Sequence, residues 1–235
     1  MLSALEKTEW NLVFLGDIMD LWIGLSGFQE PWQGEFLEWC RRESARRRIL
    51  FLEGNHEFFV VQPHGGYFSA AGGDLLQEEG LLLTHGDQVA AAPSHLRFRR
   101  WSKGGLARLL LRFLPGARGI VRLLKRRFEQ LSQRRPHRFP AQALVAWGKE
   151  RLLPPGAPRA LLMGHFHHFF QHRFPNGALL AALPAWKDRG EVGLYYPQEN
   201  QLLVRNWRSL PSLIPPPPKN PPQTPKNNHG HKHAP

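Results

Sequence analysis

Residues 10–17 read WNLVFLGD, a short apolar run that ends in a glycine and a carboxylate. Apolar runs of this length, bounded by glycine, are typical of buried strands. The pattern recurs at residues 49–57 (ILFLEGNHE), 81–87 (LLLTHGD) and 160–167 (ALLMGHFH). Residues 178–183 and 191–207 supply further strand-like pieces. The chain is therefore predicted to have an α/β fold in which several strand ends converge.

Two helical regions and a tail are predicted between and after these strands. Residues 31–47 begin with Pro31 and carry Trp32, Phe36, Trp39 and Cys40 at helical spacing, with basic residues in the last turn that suit the helix dipole. Residues 94 to about 150 repeat leucine and phenylalanine at three- and four-residue spacing, which predicts an inserted cap of two amphipathic helices. Residues 1–210 would form the main domain around this cap, and the proline-rich residues 211–235 are predicted to be disordered.

The positive charge of the chain is concentrated in the cap. The chain has 31 Lys and Arg against 19 Asp and Glu, a formal charge of +12. Residues 94–138 contain fourteen of the basic residues and only one acid, Glu129. Such a surface favours an anionic partner, either a phosphorylated substrate or a membrane surface. The residues predicted to contact it are Arg97, Arg99, Arg100, Arg108, Arg112, Arg122, Lys125 and Arg126.

Composition excludes several other classes of protein. A single cysteine, Cys40, rules out an internal disulfide framework and any zinc site with several thiolates. No run of 18 apolar residues predicts a membrane span, and residues 1–10 lack the apolar core of a signal peptide. The chain is therefore predicted to be cytoplasmic.

Five potential metal ligands stand at the ends of the predicted strands. Side chains at the carboxyl ends of neighbouring strands in an α/β sheet point into a common crevice. The residues in these positions are Asp17, Asn55, His85, His165 and His167. Mixed imidazole, amide and carboxylate ligands suit Mn²⁺, Fe²⁺ or Zn²⁺, and we take Mn²⁺ as the first expectation.

The order of four motifs resembles that of the calcineurin-like metallophosphoesterases. The motifs are Gly16-Asp17, Gly54-Asn55-His56-Glu57, His85-Gly86-Asp87 and Gly164-His165-Phe166-His167. The resemblance implies a four-layer α/β/β/α sandwich and a centre of two divalent metal ions that hydrolyses phosphoester or pyrophosphate bonds. Asp17 would bridge the two ions. Asn55, His85 and His165 would complete the second site, and His167 would belong to the first.

One motif of that family is absent from the sequence. The family begins with Asp-x-His on an N-terminal strand, and none of the five aspartates here has a histidine two residues later. We expect that the chain is a truncated fragment, or one with a misplaced start, that lacks this first strand. The alternative is an inactive homologue that acts as a basic binding protein.

Charge considerations and the resemblance together predict the catalytic residues. Two bound cations would neutralise the oxygens of a phosphoester and activate water. His56, which follows Asn55, is predicted to stabilise the transition state or protonate the leaving oxygen, with Asp20 orienting its ring. The alternative is that His56 is a passive loop residue.

A narrower resemblance concerns the substrate. Residues 15–24 (LGDIMDLWIG), the basic insertion after the third motif and residues 183–186 (LPAW) are similar to UDP-2,3-diacylglucosamine hydrolases. The resemblance implies cleavage of that acylated nucleotide sugar to UMP and acylated glucosamine 1-phosphate during lipid A biosynthesis. An apolar and basic cap suits such a substrate and implies a peripheral location on the inner face of the cytoplasmic membrane.

Other interpretations of the same features stay open. The apolar stripe of the cap can serve core packing, and Phe98, Trp101 and Phe113 among the arginines can serve nucleic-acid binding. A phosphodiesterase acting on a soluble nucleotide would share the metal ligands. The sequence leaves open the metal, the exact substrate and the oligomeric state.

Overall fold

The computed structural model describes residues 1–117, 119–121, 123 and 139–212. The predicted tail falls almost wholly outside this part of the chain, and so do Arg122, Lys125 and Arg126. The helices are α1 (Leu2–Leu5), α2 (Pro31–Ser44), α3 (Val61–His64), α4 (Pro93–Ser102), α5 (Gly105–Phe113), α6 (Ala141–Leu152) and α7 (Trp186–Arg189). The strands are β1 (Leu12–Phe14), β2 (Trp22–Ile23), β3 (Ile49–Leu52), β4 (Glu57–Phe58), β5 (Ala70–Gly72), β6 (Leu75–Glu78), β7 (Leu81–Thr84), β8 (Ala160–Met163), β9 (Phe170–Arg173), β10 (Leu179–Ala182), β11 (Glu191–Tyr196) and β12 (Gln201–Asn206). The predicted α/β class is confirmed.

The first sheet is parallel and has the order β1-β3-β5. Its central strand β3 is buried along its whole length, as parallel strands covered on both faces usually are. Phe14 lies opposite Phe51, so the chain leaves β1 and β3 at the same edge of the sheet. This register brings Asp17 and Asn55 to one end of the molecule.

The second sheet has the order β6-β7-β8-β10-β9. Strands β7, β8 and β10 are parallel, and the edge strands β6 and β9 run antiparallel to their neighbours. Thr84 at the end of β7 lies opposite Met163 at the end of β8. His85 and Gly164 therefore begin their loops side by side.

Alternate residues of the central strands face different neighbours, as the pleat requires. In β3, Ile49 and Phe51 pack in a cluster with α2, whereas Leu50 and Leu52 pack with residues of the second sheet. The second sheet repeats this alternation, because one face of β8 shares the cluster of Leu50 and the other face packs against α6. The two sheets thus share one apolar cluster, and each also has an apolar cluster with a helix.

Helix α2 begins at Pro31 as predicted and ends three residues early, at Ser44. Its start is capped by a reciprocal pair of hydrogen bonds between Glu30 and Gln33. Phe36, Trp39 and Cys40 are buried, but Trp32 in the first turn is 42% exposed. The apolar spacing therefore predicted the buried face correctly only beyond the first turn.

Helices α4 and α5 form the described beginning of the cap, and their apolar side chains are largely exposed. Phe113 is 69% exposed, and Phe98, Trp101, Leu106 and Leu109 are all more than half exposed. Helix α6, in contrast, packs against the second sheet. No described helix combines the length and apolarity needed to cross a membrane.

Candidate metal centre

Four of the five predicted ligands lie together. The amide oxygen Oδ1 of Asn55 is 3.0 Å from both His85 Nε2 and His165 Nδ1. His85 Nε2 is also 3.3 Å from Asp17 Oδ2. Ligand atoms of Asp17, His85 and His165 lie within 4.8 Å of one another. Four loops from two sheets therefore deliver four donor groups to one place.

The ring of His85 is oriented by a backbone carbonyl. His85 Nδ1 lies 2.7 Å from the oxygen of Leu15. Because a carbonyl only accepts hydrogen bonds, we assign the proton of the neutral ring to Nδ1, which leaves a lone pair on Nε2. Nε2 faces Asn55 Oδ1 and Asp17 Oδ2, so a positive charge between these atoms, from either a second ring proton or a bound cation, satisfies all three. A divalent cation fits this set of donors.

The charges of the centre reinforce one another. Burial favours a raised pKa for Asp17, but the charge of His85, its hydrogen bond and the nearby His56 outweigh burial and lower the pKa far below its usual range. Burial favours a lowered pKa for His85, but the Asp17 carboxylate outweighs it and raises the pKa. The carboxylate therefore stays ionised and available to a cation.

Three predicted ligands have left-handed backbone conformations. The φ angles are +52° at Asp17, +63° at His165 and +52° at His167. Such conformations cost a non-glycine residue on the order of 1–3 kcal/mol and often occur at functional sites. The strain indicates that the fold holds these side chains in positions that relaxed loops would not adopt.

Glycine lets the two loops of the first sheet approach closely. A Cβ atom on Gly54 would lie 2.2 Å from Asp17 Oδ1 and 2.5 Å from Asp17 N. A Cβ atom on Gly16 would lie 2.5 Å from Gly54 N. The glycine in each of these motifs is therefore a requirement of packing around the ligands.

A buried carboxylate, Glu57, connects the same two loops. Its oxygens accept hydrogen bonds from the backbone N–H groups of Asp17 at 2.8 Å, Ile18 at 2.9 Å and Gly54 at 2.8 Å. Burial and the negative charge of Asp17 raise the pKa of Glu57. Sequence reasoning missed this role, although an acidic residue directly before the apolar residues 58–61 was a signal for it.

The remaining predicted site residues surround this cluster. His56 donates its backbone N–H to Asp17 Oδ1 at 2.9 Å, and its ring Nε2 is 3.9 Å from Asp17 Oδ2. Asp20 accepts a hydrogen bond from Lys187 Nζ at 2.9 Å. The catalytic pair of His56 and Asp20 stays a prediction.

His167 lies apart from the group formed by Asp17, His85 and His165. Its side chain is 47% exposed, and Nδ1 is 3.4 Å from Asp188 Oδ2. Asp188 was not predicted. It lies on α7, close in sequence to the LPAW stretch at residues 183–186.

The described basic residues of the cap divide into two groups. Arg97, Arg100 and Arg112 are exposed on α4 and α5, where they can meet a partner. Arg99 instead forms ion pairs with Asp74 and Asp87, and its side chain is 17% exposed. Arg108 is partly buried and contacts Gln62.

Two curated proteins are similar to the chain over most of its length, whereas no protein-family model matches it. The UDP-2,3-diacylglucosamine hydrolase of Shewanella loihica is 26% identical over 209 residues, which cover 85% of this chain and 83% of that protein. The enzyme of the same name from Ectopseudomonas mendocina is 28% identical over 176 residues, or 71% of each chain. Over most of its length the chain is therefore similar to proteins named as UDP-2,3-diacylglucosamine hydrolases.

Proposed function

We propose that the chain is a metal-dependent hydrolase that cleaves the pyrophosphate bond of UDP-2,3-diacylglucosamine, giving UMP and acylated glucosamine 1-phosphate. The observation that carries this proposal is the convergence of Asp17, Asn55, His85 and His165 with acceptor atoms facing each other. Both similar proteins are named as hydrolases of this substrate. The reaction would serve lipid A biosynthesis.

Divalent metal ions, with Mn²⁺ proposed first, would be held by these four residues and by His167. When bound, such ions neutralise phosphate oxygens and lower the pKa of water. The protein contributes fixed donors, because the Leu15 carbonyl holds the His85 ring and Glu57 holds the loops that carry Asp17 and Asn55. The donors are therefore in place before substrate arrives.

His56 is proposed to act on the leaving oxygen, as a proton donor or as a stabilising charge. Its position supports this role, since the ring lies beside Asp17 at the rim of the centre and is partly exposed. Asp20 is proposed to orient that ring. The Asp20 carboxylate accepts a hydrogen bond from Lys187 Nζ, so Asp20 would orient the ring of His56 while it is held by this lysine.

We further propose the four-layer α/β/β/α arrangement, completed by one more strand. The alternation in β3 and β8 supports the layers, because each sheet shares one cluster with the other sheet and one with a helix. A cavity of about 3270 Å³ supports the proposal of an additional strand. It is lined by β1 and by residues 191–195 of β11, and each of these strands has a single neighbour among the described strands.

The cap is proposed to bind the acyl chains and the anionic surface of the cytoplasmic membrane. Its exposed apolar side chains lie among exposed arginines on α4 and α5. Each Lys or Arg near an anionic leaflet contributes about 1 kcal/mol. This surface would place the protein on the inner face of that membrane.

Nucleic-acid binding is a second candidate for the same surface. Phe98 and Trp101 are exposed, with ring centroids 6.2 Å apart, and each directly follows an exposed arginine, Arg97 and Arg100 respectively. Exposed aromatic rings beside arginines can stack on bases. Membrane binding is preferred because the apolar surface continues along α5, where its exposed residues are Leu106, Leu109 and Phe113.

The test is metal-dependent release of UMP from UDP-2,3-diacylglucosamine, measured by liquid chromatography. It compares the chain as it stands with a form that carries an added N-terminal strand ending in Asp-x-His. We expect release by the extended form with Mn²⁺ and none with a chelator. Asn55→Ala should reduce release by more than about 100-fold, which is the upper range for groups that only orient a ligand.

The control Arg42→Gln changes an exposed residue of α2 and should leave release unchanged. Equal cleavage of UDP-glucose would favour the soluble-nucleotide alternative, since that substrate lacks acyl chains. If neither form releases UMP in a metal-dependent way, the alternative of a non-catalytic binding protein is favoured.

A further inference from the structure

Helix α4 and the residue that caps its C-terminus, Lys103, carry two cationic side chains that turn towards the protein instead of towards solvent. Arg99 and Lys103 are four residues apart, which places them on the same face of the helix. Their side chains are 17% and 14% exposed. Arg97 and Arg100, on the same helix, are exposed. Binding of a partner to the exposed basic surface therefore does not account for the inward orientation of Arg99 and Lys103.

Arg99 binds the loop that carries His85. Its Nε donates to Asp87 Oδ2 at 2.6 Å, and the same guanidinium contacts Asp74. The Asp87 side chain is 7% exposed. Because Asp87 is two residues after His85, this partly buried ion pair fixes the start of the loop that follows β7.

Lys103 binds the loop that carries Asn55. Its Nζ donates to the carbonyl oxygen of Gly54 at 2.7 Å and to Glu53 Oε2 at 3.4 Å. The Glu53 side chain is 8% exposed, and its other oxygen accepts the N–H groups of Val60 and Val61. The contact therefore holds the residue directly before Asn55 within a network of hydrogen bonds.

These two loops follow strands of different sheets, β3 of the first and β7 of the second. The backbone hydrogen bonds of either sheet cannot set the distance between them. The Asn55 and His85 side chains nevertheless lie 3.0 Å apart. One face of α4 is bonded to both loops and therefore links the two halves of the centre.

We propose that Arg99 and Lys103 are positioning residues that join the cap to the metal centre. They hold the Asn55 loop and the His85 loop at the separation that metal binding requires. Movement of α4, when a ligand occupies the cap, would then change metal affinity as well as access. The effect on metal affinity rests on the metal binding that the proposed function includes, and its consequence for turnover rests on the proposed reaction.

The test measures Mn²⁺ binding by isothermal titration calorimetry in the full chain. Arg99→Gln and Lys103→Met should each weaken binding by about 10- to 100-fold, the range seen when groups that orient metal ligands are lost. Arg99→Lys and Lys103→Arg keep the charge and should recover part of the loss. Arg97→Gln and Arg100→Gln remove one charge from the same helix without these contacts to the loops and should leave the Mn²⁺ dissociation constant unchanged.

Circular dichroism on each variant separates positioning from folding. A variant that stays folded and binds Mn²⁺ as tightly as the wild type overturns the positioning role. If Arg99→Gln or Lys103→Met does not fold, the charge-keeping variant at the same position decides. Arg99→Lys or Lys103→Arg that folds and binds Mn²⁺ with the full wild-type affinity also counts against the proposal. Wild-type protein that binds no divalent cation would instead refute the proposed function, which distinguishes the two failures.

Discussion

Small changes in single residues are expected to have large effects at this centre because the loops that carry its ligands are in close contact. The Asp17 carboxylate and backbone occupy the space that a Cβ atom on Gly54 would need. The Glu57 carboxylate binds both loops by accepting hydrogen bonds from three of their backbone N–H groups. The positions of the ligands thus depend on the small size of Gly54 and on hydrogen bonds between the Glu57 carboxylate and the backbone.

We predict that Gly54→Ala reduces the affinity for Mn²⁺ by more than about tenfold. The new methyl group would need the space of Asp17 Oδ1, 2.2 Å away, and would displace that ligand. Metal titration with the purified variant measures the effect. Gly66→Ala is the matched control because nothing lies within 4 Å of its added Cβ. Equal affinity in Gly54→Ala and wild type would contradict the packing argument.

At the scale of secondary-structure elements, one arginine, Arg47, holds the segment before β1 in place. Sequence spacing placed Arg47 in the last turn of α2, where it would complement the helix dipole. The helix instead ends at Ser44, and the Arg47 side chain is 2% exposed. Its guanidinium pairs with Glu43, and Nη1 donates to the carbonyl oxygens of Leu5, Thr8 and Trp10. The arginine therefore joins α1 and the start of β1 to α2.

We predict that Arg47→Met lowers the free energy of unfolding by about 3–5 kcal/mol. Removing one partner of a buried ion pair leaves the Glu43 carboxylate and several carbonyl groups without their donor. Urea denaturation monitored by tryptophan fluorescence measures the change. Arg42→Met removes an exposed arginine of α2 and should cost less than about 0.5 kcal/mol. A similar cost for both variants would show that the buried pair contributes nothing.

The complete chain combines an enzyme-like body with a cap of different surface chemistry. Outside residues 94–138 the charges nearly balance, whereas the cap is strongly basic and exposes apolar side chains. Exposed apolar surface on this scale usually marks a binding face. The cap contacts the body through Arg99 and Lys103, so the proposed partner surface and the proposed metal centre are connected through one helix.

We predict that replacing Leu109 and Phe113 with serine reduces sedimentation with anionic phosphatidylglycerol vesicles by about tenfold. Both side chains are exposed, and losing their transfer into the lipid interface removes at least about 1.4 kcal/mol. Trp32→Ser, at an exposed apolar position on α2, serves as the control. Tight, salt-sensitive binding to a labelled oligonucleotide without vesicle binding would favour the nucleic-acid alternative.

The sequence was sufficient for features that depend on neighbouring residues. Apolar runs ending in glycine predicted the positions of β1, β3, β7 and β8, because strand burial and chain reversal leave local patterns. Those patterns also predicted Asp17, Asn55, His85 and His165 as ligands, since each lies within three residues of the end of a run. The structure brings the four side chains together, and their metal-binding role stays a prediction. His167 was assigned to the other metal site, and its side chain lies outside the group formed by Asp17, His85 and His165, so its role stays a prediction.

The tertiary structure alone decided which distant groups hold these ligands. The Leu15 carbonyl that orients His85 is 70 residues away from it in sequence, and Lys103 is 49 residues from Gly54. The separation of the two metal loops also arises between sheets that share no hydrogen-bonded ladder. Such contacts depend on how the packed layers meet in space, and that packing leaves no periodic pattern along the chain.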